Sequence, residues 1–333
     1  MQELWIDGHL DLAYLAQLHG DLSGPIPDPR TRCISFSALR AGGVRVALGT
    51  IFTERGSPDT PAGYAEDDDI EGAHQAGVRQ LEWYEALERE GALRIVRCRH
   101  DLAGVESSSP GDHAPLRIVI LMEGCDPIRS PQEARWWFDR GVRVAGMAWA
   151  LGTRYAGGNG RPGPLSAAGR ELVPAFDEVG ILHDASHLSD EGFADLLDCT
   201  PRRIIASHSN SRVLTGDSQR HLTDDGMRAI AARDGLIGLN LFGKFLASGR
   251  EATRADALNH IDHAALLAGR DRVGLGSDFD GGFAPADIPE GLRRPQELGS
   301  LSAGLRQRGW PEAAVFGFTH ANWLRVLRAA LPD

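Results

Sequence analysis

The chain has 333 residues, 42% of them hydrophobic and 24% charged, enough apolar material for one large α/β domain or two smaller ones. Its formal net charge of -11 argues against nucleic acid or an anionic membrane surface as a partner. No run approaches the ~18 apolar residues of a membrane span. The start, Met1-Gln2-Glu3-Leu4-Trp5, lacks the basic and apolar regions of a secretory signal, so a soluble, cytoplasmic location is expected. The four cysteines, Cys33, Cys98, Cys125 and Cys199, are scattered without a C-x-x-C pair. They read as free thiols, not as a disulfide framework or a thiolate zinc site.

In chain order, the first strand is expected over 3–9, running into His9-Leu10-Asp11. Strand side chains alternate faces, so His9 and Asp11 point the same way from the strand end and can grip one divalent ion. A long irregular stretch at 20–36 precedes a second strand at 45–52. A long helix follows over 65–91, with a minor strand at 94–97. The run Arg117-Ile118-Val119-Ile120-Leu121-Met122 is apolar without alternation, as for a parallel strand buried on both faces, and it ends at Glu123. Ser130-Pro131-Gln132-Glu133 is a capping box with proline at the first helical position, opening a helix to about Asp139.

A fourth strand at 142–148 leads into a glycine-rich stretch at 151–164, and loops of that length are usually functional. A helix at 165–178 and a strand at 179–184 follow, then His187. Ser189-Asp190-Glu191 opens a helix at 190–198, and a strand at 203–207 ends at His208. Thr223-Asp224-Asp225 opens a helix at 224–234. The last two strands, 235–241 and 272–277, flank a helix at 256–268, and Asp278 ends the second of them. Helices at 295–308 and 311–330 finish the chain.

Eight strands alternating with helices predict a (β/α)8 TIM barrel, as a single domain over 1–333. A doubly wound open sheet is the alternative, weakened by the lack of a glycine-rich phosphate loop. In a barrel, reactive groups sit at the carboxyl ends of strands, and His9, Asp11, Glu123, His187, His208 and Asp278 all fall there. Three imidazoles and three carboxylates exceed one tetrahedral zinc site and suit two ions sharing a bridging carboxylate. His19, His74, His100, His113, His260 and His263 read as surface residues. His183 and His221 carry no ligand role, and His320 is left open.

The motifs His9-Leu10-Asp11, Met122-Glu123-Gly124, Ala185-Ser186-His187, Ala206-Ser207-His208-Ser209-Asn210, Gly276-Ser277-Asp278-Phe279-Asp280-Gly281 and Asn322-Trp323-Leu324-Arg325-Val326 occur in an order that resembles the membrane dipeptidase (renal dipeptidase) family, peptidase family M19 of the amidohydrolase superfamily. The resemblance implies a distorted (β/α)8 barrel of the metal-dependent hydrolase type holding two Zn2+ ions, with His9, Asp11 and Glu123 on one zinc, Glu123 bridging, and His187 and His208 on the other. Asp278 would sit beside the first zinc and move protons. The only lysine, Lys244, follows strand seven, so a glutamate bridge is the consistent choice over a carboxylated lysine.

Water between two such ions has its pKa lowered toward ~7, supplying a bridged hydroxide to attack a dipeptide's amide carbonyl. Arg220 matches the family's arginine for the substrate carboxylate, a task suited to a guanidinium fork. The family's histidine after strand four is replaced by Trp149, with Arg154 or Tyr155 as substitute contacts to substrate. The expected substrate is a small dipeptide, including those with a D-residue at the C-terminal side, and a homodimer is expected by resemblance. Another amide, a lactam, a lactone or a phosphoester is the alternative, and a non-catalytic barrel protein a further one.

Overall fold

The computed structural model describes residues 3–107 and 114–333; His113 lies outside them. Eight parallel strands form the sheet: β1 (Trp5–Leu10), β2 (Val44–Phe52), β3 (Leu116–Glu123), β4 (Val142–Gly146), β5 (Leu182–Asp184), β6 (Ile204–Ile205), β7 (Ile237–Leu239) and β8 (Val273–Leu275). They pair in the order β6-β5-β4-β3-β2-β1-β8-β7. A parallel bridge between Ala206 and Ile237 links the two ends, and the barrel is nearly closed. The minor strand expected at 94–97 is present as Leu93–Ile95, paired to the start of β3.

The apolar runs are explained by burial on both faces. Ile118, Ile120 and Met122 pack outward with Leu81, Tyr84 and Trp137. Val119 and Leu121 point inward, packing with Ile6, Val46, Leu48 and Val144.

The C-terminal helix Asn322–Ala330 supplies Trp323 to this inner cluster. Its indole Nε1 donates to Leu275 O at 2.8 Å, and Asn322 Nδ2 donates to Val273 O and Arg270 O. The ring lies so close to β1 that a Cβ at Gly8 would stand 2.3 Å from Trp323 Cζ2. This explains the motif 322–326: it is packing.

The structure departs from the expected elements in several places. The helix expected over 311–330 is broken into Glu312–Phe316, a π-turn at Gly317–Ala321, and Asn322–Ala330; a Cβ at Gly317 would meet Asn322 Oδ1 at 2.9 Å. A helix at Leu12–His19 was not anticipated, because Asp11 at its N-cap makes no capping bond and turns its carboxylate elsewhere. The stretch 20–36 ends in a short helix, Phe36–Ala41, capped by Ser35 Oγ.

The expected loop at 151–164 contains a hairpin, Ala156–Gly158 against Arg161–Leu165. His74 and His260 are buried, not on the surface, since each lies on the inward side of its helix. His74 Nδ1 faces Pro127 O at 2.9 Å, and His260 Nε2 faces Leu246 O at 3.1 Å.

Candidate metal centre

The strand ends bring six side chains together. Asp7, buried in β1, accepts bonds from the Ser277 hydroxyl and amide at 2.5 and 2.8 Å, which ties the end of β1 to the end of β8. From this frame His9 Nε2 lies 3.6 Å from Asp11 Oδ1, 3.5 Å from Glu123 Oε2 and 4.0 Å from Asp278 Oδ1. The other oxygen of Glu123, Oε1, lies 3.0 Å from His187 Nε2 and 3.4 Å from His208 Nε2.

Glu123 therefore faces two groups of ligands, one with each oxygen. His187 and Asp278 hold left-handed backbone conformations, with φ of 66° and 61°, uncommon for residues with a Cβ.

Hydrogen bonds on the far side of each ring fix what the near side offers. Asn159 Oδ1 lies 2.9 Å from His187 Nδ1; a carbonyl oxygen only accepts, so Nδ1 carries the proton and Nε2 a lone pair. The Ser207 hydroxyl donates to Asp184 Oδ2 at 2.5 Å and so accepts from His208 Nδ1 at 2.7 Å, leaving His208 Nε2 another lone pair. The two Nε2 atoms are 3.0 Å apart and both face the Glu123 carboxylate. Three acceptors converging on one buried point are mutually repulsive unless a cation sits among them.

His9 adds two buried ring nitrogens with no hydrogen-bond partner. Ligand atoms of His9, Glu123 and His208 lie within 4.8 Å of one another, as do those of His9, Asp11 and Asp278. Nitrogen and carboxylate donors at this spacing fit divalent metal ions of the zinc type.

The electrostatics agree. Burial, with help from Arg220, pulls His187 down to about 4, and burial with His9 and Arg220 takes His208 well below the ordinary imidazole range. Both rings stay neutral, the form that ligates metals. Burial alone would raise Glu123, but the charge of His9 holds it well below the carboxylate range. Burial pushes Asp278 up to about 7, against the pull of His9 and with the push of Asp11 and Glu123. A bound dication would draw it back down. Thr50 Oγ1 donates to Asp11 Oδ1 at 2.5 Å, and Asn240 Nδ2 to Asp278 Oδ2 at 2.8 Å.

A cavity of about 410 Å3 opens onto this cluster. Arg220 lines it, fully buried, with Nη2 on His208 O at 2.9 Å and Nη1 on Ser209 Oγ at 3.2 Å. Trp149 lines it too, its ring 6.2 Å from that of His187. Arg154 and Tyr155 do not, which corrects the expectation that they contact substrate. Thr153 Oγ1 bonds Met147 O and Tyr155 N, turning the chain so that the Tyr155 hydroxyl donates to Ile128 O at 2.6 Å, away from the cavity. Arg154 stacks on that ring. Lys244 follows β7, outside the cluster.

Sequence reasoning missed Asn159, Ser207, Asp184, Thr50 and Asn240. Asn240 and Thr50 at least lie in or just after barrel strands, whereas Asn159 sits in a loop without periodic signal.

The chain matches the membrane dipeptidase family (peptidase family M19) over residues 2–331. It belongs to that family. A dipeptidase of Schizosaccharomyces pombe is 36% identical over 322 residues, covering 88% of this chain and 71% of that protein. Among solved structures, an M19 metallopeptidase named dipeptidase AC superposes with a TM-score of 0.85 at 24% identity, covering 100% of both chains.

A metallopeptidase from Rhodobacter sphaeroides, bound to a phosphinate mimic of L-Ala-D-Ala, also gives 0.85 at 24% identity, over 99% of this chain and 100% of that one. Both share this M19 member's metallo-hydrolase barrel. Membership makes the chain a metallo-dipeptidase, a hydrolase of peptide bonds. Despite the family's name, no helix among the described residues is long and apolar enough to cross a membrane.

Proposed function

We propose that this M19 enzyme cleaves small dipeptides, including those with a D-residue at the C-terminal side, using two zinc ions. The observation that carries the reading is Glu123, whose Oε2 faces His9 at 3.5 Å and whose Oε1 faces His187 at 3.0 Å. His9, Asp11 and Glu123 would hold one ion, and Glu123, His187 and His208 the other, with Asp278 beside the first. When bound, such a pair of ions polarises a peptide carbonyl and acidifies water.

The protein's own groups do the rest. Asp278 Oδ1 takes a proton from the attacking water and returns it to the departing amine, while Asn240 holds Oδ2 in place. Arg220, buried against the cluster, captures the free carboxylate of the dipeptide with a charge-assisted fork. Trp149 closes one wall near His187; its single N–H can donate but cannot carry charge. The phosphinate dipeptide mimic bound by the Rhodobacter sphaeroides metallopeptidase supports a dipeptide ending in a D-residue.

Metal analysis of the purified protein, combined with turnover of L,L- and L,D-dipeptides with and without chelator, tests the proposal. About two zinc ions per chain and chelator-sensitive cleavage are expected. Protein without metal, or a panel without chelator-sensitive turnover, would refute it.

A further inference from the structure

The cavity above the cluster is lined by two groups of aromatic rings, Tyr14, Phe52 and Trp149 in one and Phe242, Phe245 and Phe283 in the other. Around the barrel, β3 stands across from β7. On the β7–β8 side, Phe242 stacks on Phe283 with ring centroids 4.3 Å apart and an interplanar angle of 15°, and meets Phe245 edge-on at 4.8 Å. All three rings line the cavity and are only partly buried. Apolar ring surface left facing a cavity is stabilised by any ligand that covers it. The Arg220 guanidinium lies over Phe245, 4.9 Å from the ring centroid, so the carboxylate anchor and the aromatic trio adjoin.

A dipeptide carries its free carboxylate on the C-terminal residue. One bond from the carbon bearing that carboxylate, the same residue's side chain begins. With the carboxylate on Arg220, that side chain falls within reach of the adjoining rings. The trio itself brings no carboxylate or amine to this wall. Besides the Arg220 anchor, Lys244 has Nζ 5.8 Å from the Phe242 ring and is exposed.

Resting on the dipeptidase reading above, we infer that Phe242, Phe245 and Phe283 form the pocket for the C-terminal side chain and select dipeptides whose C-terminal residue is apolar.

The test is kcat/KM of the zinc-loaded enzyme for Ala-Gly and for Ala-X dipeptides with X as Leu, Phe, Asp and Lys, each in both chiralities of X. Leu and Phe should exceed Gly and Asp by about tenfold or more, the scale on which a hydrophobic pocket discriminates. In Phe242→Ala and Phe283→Ala, loaded with the same metal content, the Leu-over-Gly ratio should fall at least about fivefold. Phe242→Leu, which keeps an apolar wall, should retain most of it.

Turnover that ignores X, or variants that lower every substrate equally, overturns the pocket while leaving a dipeptidase in place. Absence of turnover across the whole panel overturns both.

Discussion

Asn159 places its side-chain oxygen 2.9 Å from Nδ1 of His187 and thereby decides which ring nitrogen faces the cluster. The same residue's backbone N–H donates to His187 O at 2.8 Å, so the hairpin loop grips the histidine twice. Outer partners of this kind tune metal affinity by about 10–100-fold. On the two-ion reading proposed above, Asn159→Ala should weaken the ion at His187 by that factor and leave the other largely unaffected. Competition with a graded chelator, read as metal per chain, checks this. Loss of both ions together, or of neither, would contradict the assignment.

Asp278 is poised differently from the other carboxylates. Burial pushes it up to about 7, and only Oδ2 is tied down, by Asn240. Asp278→Asn keeps the shape and removes the basic oxygen. Turnover should drop by about 10^2–10^4, the usual contribution of general acid–base catalysis, with metal content nearly unchanged because His9, Asp11 and Glu123 remain. Paired metal analysis and kinetics decide; a fully active variant removes Asp278 from the proton path.

The two cases show what could be read without coordinates. The eight strands were legible because Val, Ile and Leu run without alternation wherever both faces are covered, as in 117–122. The six candidate ligand positions could be picked out because each lies at or just after the carboxyl end of a strand. Helix 12–19 was hidden because Asp11, which reads as a ligand, occupies its N-cap with its carboxylate engaged by Thr50. Arg154 and Tyr155 were misjudged because nearness in sequence to Trp149 says nothing of direction, and the Thr153 turn reverses it. Asn159 reaches the cluster only through hairpin geometry, which no periodicity records.

The barrel floor depends on Trp323 and the glycines beneath it. A Cβ on Gly8 would lie 2.3 Å from Trp323 Cζ2 and 2.8 Å from Ser207 O, and Ser207 supports His208. Gly8→Ala should cost about 1–3 kcal/mol through overpacking, and should also lower metal affinity by displacing Ser207. Trp323→Ala opens a cavity instead and should cost about 3–5 kcal/mol. Urea unfolding of the metal-free protein separates the stability loss from the metal effect. If Gly8→Ala unfolds at the wild-type midpoint, the close packing described for the floor is wrong.

His260 links stability to pH away from the metal cluster. Its Nδ1 accepts from Ser211 N at 3.0 Å and its Nε2 faces Leu246 O at 3.1 Å, a pattern the neutral ring satisfies completely. Protonating Nδ1 would forfeit the Ser211 bond. Burial accordingly lowers its pKa from 6.5 to about 4, with Leu246 O and Asp256 opposing and His263 adding a small push the same way.

Between those two values the unfolded chain binds the proton and the folded chain does not, so stability rises with pH there. It is complete above about 6.5 and is lost as pH falls toward about 4, by on the order of 3 kcal/mol at most. His260→Gln should be less stable at pH 7 yet lose less on acidification. Urea midpoints at pH 7, 5.5 and 4.5 should therefore converge for wild type and variant; parallel declines would show that His260 does not titrate in this window.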